Sequence, residues 1–199
     1  MFAYIKGILE VKGDSFVVID VGGVGFKIFM SVSSIDRLGE IGEVVKVHTH
    51  HHVSENNMSL YGFISNDELR MFELLLSVSG IGAKSAITML SEITPSSFAL
   101  AVISNDISKL VKIQGIGPKT AQRIVLELKD KLKTEESLSK GNTQIQTAIH
   151  DDEQISEAVS ALKVLGYGKK EIDKVFEKID ISNLGVEDII RKSLAILGR

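Results

Sequence analysis

Apolar and polar positions alternate through the first third of the chain. The stretches 1–13, 15–23, 24–32, 43–53 and 58–63 are rich in Val, Ile and Phe and read as strands. Gly13-Asp14, Gly22-Gly23 and Gly42 punctuate them, and Ser33–Leu38 reads as one short helix. Five short strands in so short a span predict a small closed barrel, for which an OB-type barrel is one solution. From residue 64 the period becomes helical. Ser65-Asn66-Asp67-Glu68 has the form of a capping box, with Ser65 as N-cap and Glu68 three positions into the helix. Leu69, Phe72, Leu75 and Leu76 follow as an apolar stripe. Pro95 and Pro118 each suit the first turn of a helix, where a missing N–H costs nothing. Periodicity fades over 134–152, which reads as a flexible polar linker. It returns over 153–199 as three short helices near 153–165, 169–179 and 186–197. The expected fold class is α+β and multidomain.

Composition narrows the function classes. With no cysteine there is no disulfide framework, thiolate metal site or cysteine nucleophile. No apolar run approaches the ~20 residues needed to span a bilayer, and the N-terminus has no signal-peptide pattern, so the expected address is cytoplasmic with no membrane partner. The formal net charge of −3 speaks against nucleic acid until it is divided along the chain. Residues 1–63 carry a net −2, residues 64–133 a net +2 and residues 134–199 a net −3. A site for a polyanion is therefore expected in the middle third.

That third contains an internal repeat. Residues 75–91 align without gaps on residues 110–126, an offset of 35. Leu75/Leu110, Gly80/Gly115, Ile81/Ile116, Gly82/Gly117, Lys84/Lys119 and Ala86/Ala121 are identical pairs. Each copy reads as helix, Gly-Ile-Gly turn, helix. A tight turn into a helix calls for Gly, and the Ile between the glycines can plug the two helices together. The free N–H groups that begin the second helix make an anion site with the positive end of the helix dipole. Lys84 and Lys119 stand in that first turn. Nothing in the pattern addresses a base edge, so phosphate binding independent of sequence is expected. The same residues do not make a nucleotide-binding P-loop. That loop needs Gly directly before Lys and another Gly five positions earlier, where this chain has Ala83 and Val78, then Pro118 and Ile113. No ATP site and no cofactor are expected.

The paired Gly-Ile-Gly turns resemble tandem helix-hairpin-helix motifs. With 20–28 (DVGGVGFKI), 60–63 (LYGF) and the tripartite layout, the whole chain resembles the RuvA family of Holliday-junction-binding subunits. The resemblance implies an OB-fold tetramerisation domain at 1–63, a tandem hairpin DNA-binding domain at 64–133, a linker at 134–152 and a three-helix motor-binding domain at 153–199. It implies a homotetramer holding an open four-way junction, with an octamer of two tetramers as the closed form. The hexameric ATPase RuvB would be the motor and RuvC the resolvase of the same complex. Gly80, Gly82, Gly115 and Gly117 would supply the phosphate-facing turns, and Lys84, Lys119 and Arg123 the cations. Thr88 stands where Arg123 does, one repeat earlier. An acidic pin would lie at Glu55 and Asn56, with Asn56 in place of the family's second acid. Leu162, Leu165, Tyr167 and Leu194 would form the apolar surface that meets the motor, on the expectation that so small a bundle leaves some of them exposed.

Other chemistry is weaker. His48, His50 and His52 alternate onto one face, a zinc-type spacing, but with no second-shell pattern they read as solvated or interface histidines. Asp130 lies 13 residues past Gly117 inside a predicted helix, too close for the catalytic Asp of hairpin-bearing glycosylases, so no catalytic residue is assigned. The rival functions are a general duplex-binding scaffold or nuclease accessory protein, and a single-strand binder using the barrel. The barrel's few clustered cations disfavour the last.

Overall fold

A computed structural model describes residues 2–55, 57–138, 151–181 and 184–198. The chain divides into two compact units. One comprises Met1–Leu76 with Ile81–Ile93, and the other Ser77–Gly80 with Thr94–Arg199.

The first unit is built on a barrel. Strands β1 (Tyr4–Lys12), β2 (Phe16–Val21), β3 (Val24–Phe29), β4 (Val44–Ser54) and β5 (Asn57–Phe63) close in the order β1-β2-β3-β5-β4. All pairings are antiparallel except β3 with β5, which meet in parallel at Phe29 and Tyr61. Alternation sends Ile5, Leu9, Val17, Ile19, Ile28, Val45, Val47 and Leu60 inward, where they form the core with Met30 and Ile35. This is the OB-type architecture expected from the alternating pattern. Helix α1 (Val32–Arg37) connects β3 to β4, capped by the Ser31 hydroxyl, which accepts from the Ser34 N–H.

Helices α2 (Asn66–Leu76) and α3 (Ala83–Glu92) complete the unit. The start of α2 differs from a simple capping box. Ser65 Oγ does accept from the Glu68 N–H at 3.2 Å. The Glu68 carboxylate accepts from the N–H of Ile64 rather than Ser65, and from Ser34 Oγ at 2.9 Å and Arg37 Nη2 at 2.7 Å. A buried acid with Arg37 within reach is drawn across to α1, so it ties two helices together while capping one. Of the predicted stripe, Phe72 and Leu75 are buried and Leu69 and Leu76 only partly, while Met71 joins the core instead.

The second unit is helical: α4 (Pro95–Ile103), α5 (Ile107–Val111), α6 (Pro118–Leu138), α7 (Asp151–Val164), α8 (Lys169–Phe176) and α9 (Val186–Leu197). Thr94 caps α4 and Asp106 caps α5 through their side chains. Helix α4 is apolar nearly all round because it is covered on several sides, by α5 and α6 and by α7 and α9. The segment 134–152, expected to be linker, overlaps helix at both ends. Helix α6 continues through Leu138 and α7 begins at Asp151, while 139–150 lie outside the described residues. A polar composition does not by itself exclude helix.

Candidate nucleic-acid interface

Local geometry repeats with the sequence. Leu75 and Leu110, Ile81 and Ile116, and Ala86 and Ala121 are all buried. The two isoleucines therefore plug their turns as the repeat predicts, and the two alanines leave room for the helices to approach. Gly80 and Gly115 both adopt positive φ, +87° and +82°. The Gly82 carbonyl accepts the first intrahelical bond of α3 from Ala86 N–H, and the Gly117 carbonyl that of α6 from Ala121 N–H, each at 2.9 Å. Gly82 is the N-cap of α3 and offers no side chain to its first-turn N–H groups. Such a helix start presents unsatisfied donors outward together with the positive end of the dipole. Lys84 and Lys119 are exposed in the first turns of α3 and α6. Gly82 and Lys84 belong to the first unit, and Gly80, Gly115, Gly117, Lys119 and Arg123 to the second.

Arg123 is exposed on α6, and its Nη1 donates to the Ser79 carbonyl at 3.0 Å. One helical turn further on, Glu127 Oε2 accepts from the Ser79 N–H at 3.1 Å. Sequence reading treats Arg123 only as a phosphate cation and overlooks Ser79 and Glu127. The legible signal is the four-residue spacing of Arg123 and Glu127, which puts both on one helical face. Thr88, the counterpart of Arg123, donates its hydroxyl to the Lys84 carbonyl within its own helix at 3.0 Å.

Glu55 is exposed at the turn between β4 and β5, where Ser54 pairs with Asn57, and Asn56 lies outside the described residues. Val53 and Met58, a cross-strand pair beside it, are also exposed. Leu162, Leu165, Tyr167 and Leu194 are all buried, contrary to the expectation of an exposed apolar surface. Packing of α7 and α9 on each other and on α4 gives this small bundle more cover than three helices alone provide. Among the described residues no three His, Asp or Glu side chains are arranged to hold a metal. His50 instead meets Glu73 at 3.2 Å and packs against Phe72. Burial, then the charge of Lys46, holds His48 below the usual histidine range. Among the described residues no single helix is long and apolar enough to cross a membrane.

Family comparisons match this layout along its length. The RuvA N terminal domain matches residues 1–62, the SAM-like helix-hairpin-helix tandem residues 72–130, and the RuvA C-terminal domain residues 153–198. A protein of Acetivibrio thermocellus named Holliday junction branch migration complex subunit RuvA is 48% identical over 204 residues, covering 100% of both chains. The chain belongs to the RuvA family. Proteins of the same name from Ruminiclostridium cellulolyticum and Clostridium perfringens are 45% and 40% identical, covering 99% and 100% of this chain and 100% of their own. The family accounts for the barrel, the tandem hairpins and the C-terminal helices together, and for a subunit without catalytic machinery of its own.

Proposed function

We propose that this RuvA-family chain binds four-way junction DNA by structure rather than sequence, as a homotetramer, and recruits a RuvB-type hexameric ATPase that drives branch migration. The observation that carries this reading is the repeated turn. Two copies of Gly-Ile-Gly share a buried isoleucine, a positive φ at the first glycine and a second-glycine carbonyl that accepts the first bond of the following helix, and each leads into a helix start with an exposed lysine. Each such turn suits a backbone phosphate and leaves base edges untouched. Four subunits would then grip four arms. In the same reading, 1–63 assembles the tetramer, 64–133 binds DNA and 153–199 meets the motor. RuvC resolves the junction in the same complex, and Glu55 with Asn56 forms a pin at the junction centre. Exposed Tyr4, Ile8 and Val44 on the outer face of β1 and β4 support an assembled barrel. Burial of Leu162, Leu165, Tyr167 and Leu194 makes them the support of a motor-binding surface rather than the surface itself.

Competition binding among a four-way junction, a plain duplex and a single strand of matched length tests the proposal. The expected order is junction tightest and single strand weakest, with junction affinity falling steeply as salt rises because phosphate contacts release counterions. Equal affinity for junction and duplex would favour a general hairpin scaffold, and preference for single strand would favour the barrel as the binding site.

A further inference from the structure

Arg123 and Glu127 rise from one face of α6, yet both end on the turn of the other repeat. Ser79 has its carbonyl held by the Arg123 guanidinium at 3.0 Å and its N–H held by the Glu127 carboxylate at 3.1 Å. Both backbone groups of one residue are thus fixed by side chains of opposite charge. The next residue, Gly80, carries the positive φ of the turn, and a Cβ built there would stand 3.3 Å from Arg123 Nη1. A side chain at this position would crowd the guanidinium by a few tenths of an ångström. Nothing comes within 4 Å of the corresponding position on Gly115. The repeats are unequal in this respect. Thr88 replaces the arginine in the first copy and spends its hydroxyl within its own helix, and it is α6 of the second copy that secures the Ser79 turn.

We propose that Arg123 and Glu127 are positioning residues which hold the Ser79–Gly80 turn in the geometry that meets a DNA phosphate. The proposal rests on reading the hairpin turns as phosphate sites. Its discriminating feature is the sign of the Glu127 effect. A carboxylate one hydrogen bond from a turn that receives phosphate repels the ligand. If Glu127 acted only through its charge, removing it would tighten DNA binding. If it holds the turn, deleting the acceptor weakens binding although a negative charge has gone. Gln keeps an acceptor oxygen and loses the charge, so it separates the two effects.

The test uses the full-length protein. Junction dissociation constants are measured for wild type, Glu127→Ala and Glu127→Gln at low and moderate salt. Amide exchange at Ser79 is followed in the DNA-free protein. We expect Glu127→Ala to weaken junction binding by roughly three- to fivefold, the scale of one lost solvent-accessible hydrogen bond. Exchange at Ser79 should quicken in Glu127→Ala. Glu127→Gln should exchange like wild type and bind at least as tightly. Glu127→Ala binding as tightly as wild type or more so would overturn the proposal, as would Ser79 exchange that does not change. The exchange measurement needs no DNA. A wild type that fails to prefer junctions would sink the functional reading alone, and faster Ser79 exchange restored by Gln would still establish the clamp.

Discussion

Gly80 and Gly115 occupy equivalent places in their repeats and have nearly the same backbone angles, but their surroundings differ. Alanine at Gly115 meets open space and carries only left-handed strain, about 1–2 kcal/mol. Alanine at Gly80 carries the same strain and also presses on Arg123 Nη1, loosening the bond to Ser79. Gly80→Ala is therefore expected to lower Tm and weaken junction binding more than Gly115→Ala; the reverse order in both measurements would refute the asymmetry. His48 offers a second test at this scale. Burial, and then Lys46, disfavours its charged form, so the folded state binds its proton less readily than the unfolded chain does. A histidine with a depressed folded pKa contributes stability above its unfolded pKa, near 6.5, and that contribution is lost as pH falls below it. His48→Gln should thus lose less Tm between pH 7.5 and pH 5.5 than wild type. Parallel Tm profiles for the two proteins would exclude His48 as a source of acid sensitivity.

At the scale of elements, each repeat presents one exposed lysine, Lys84 or Lys119, at a helix start, whereas Arg123 supplies a cation and also fixes Ser79. Lys84→Ala and Lys119→Ala are expected to weaken junction binding by similar factors, with Arg123→Ala costing more than either and Lys6→Ala, on the barrel, costing little. Titration at several salt concentrations checks it. Each lysine variant should reduce the salt slope by about one phosphate contact, and a larger loss for Lys6→Ala would move the site off the hairpins. These elements differ in how plainly the sequence announces them. The barrel strands are legible because alternation of Ile5, Leu9, Val17 and Ile19 reports directly which face is buried. The hairpin turns are legible because two copies repeat the same glycines, isoleucine and alanine. Glu68 is only half legible. Its local role at the start of α2 follows from spacing, but its ion pair with Arg37 spans 31 positions and depends on how α1 and α2 pack. The Ser79 clamp is hidden for the same reason, since its two ends are 44 and 48 residues apart in sequence. Leu162, Leu165, Tyr167 and Leu194 show the limit of composition. Small modules leave apolar groups exposed only when nothing else covers them, and α7 and α9 also pack on α4.

For the whole molecule, the proposed tetramer needs a surface through which its subunits join. Ile8 and Val44 are direct cross-strand partners, and Tyr4 lies two strand periods further along the same outer face. Their exposures of 42%, 65% and 54% leave an apolar strip that a lone soluble barrel gains nothing from displaying. Lys46 leans over the Tyr4 ring, 4.7 Å from its centre, and frames the strip with charge. Association through this face would bury the strip and bring several pairs of hairpins onto one DNA molecule. Each added subunit then binds at high effective concentration, so junction affinity should far exceed that of one subunit on one arm. Val44→Glu tests this without touching the core, because the side chain points away from Val45 and Val47. In an assembled barrel each new carboxylate would be desolvated at an apolar contact, a cost of several kcal/mol that disfavours assembly. The variant is expected to sediment as a smaller species than wild type, to keep the wild-type circular dichroism, and to lose at least roughly a hundredfold in junction affinity, within the range avidity commonly supplies. Binding to a single short duplex, which needs one subunit's hairpins only, should change little. A Val44→Glu protein that still sediments as four chains and holds a junction as tightly as wild type would place the assembly surface elsewhere on the barrel.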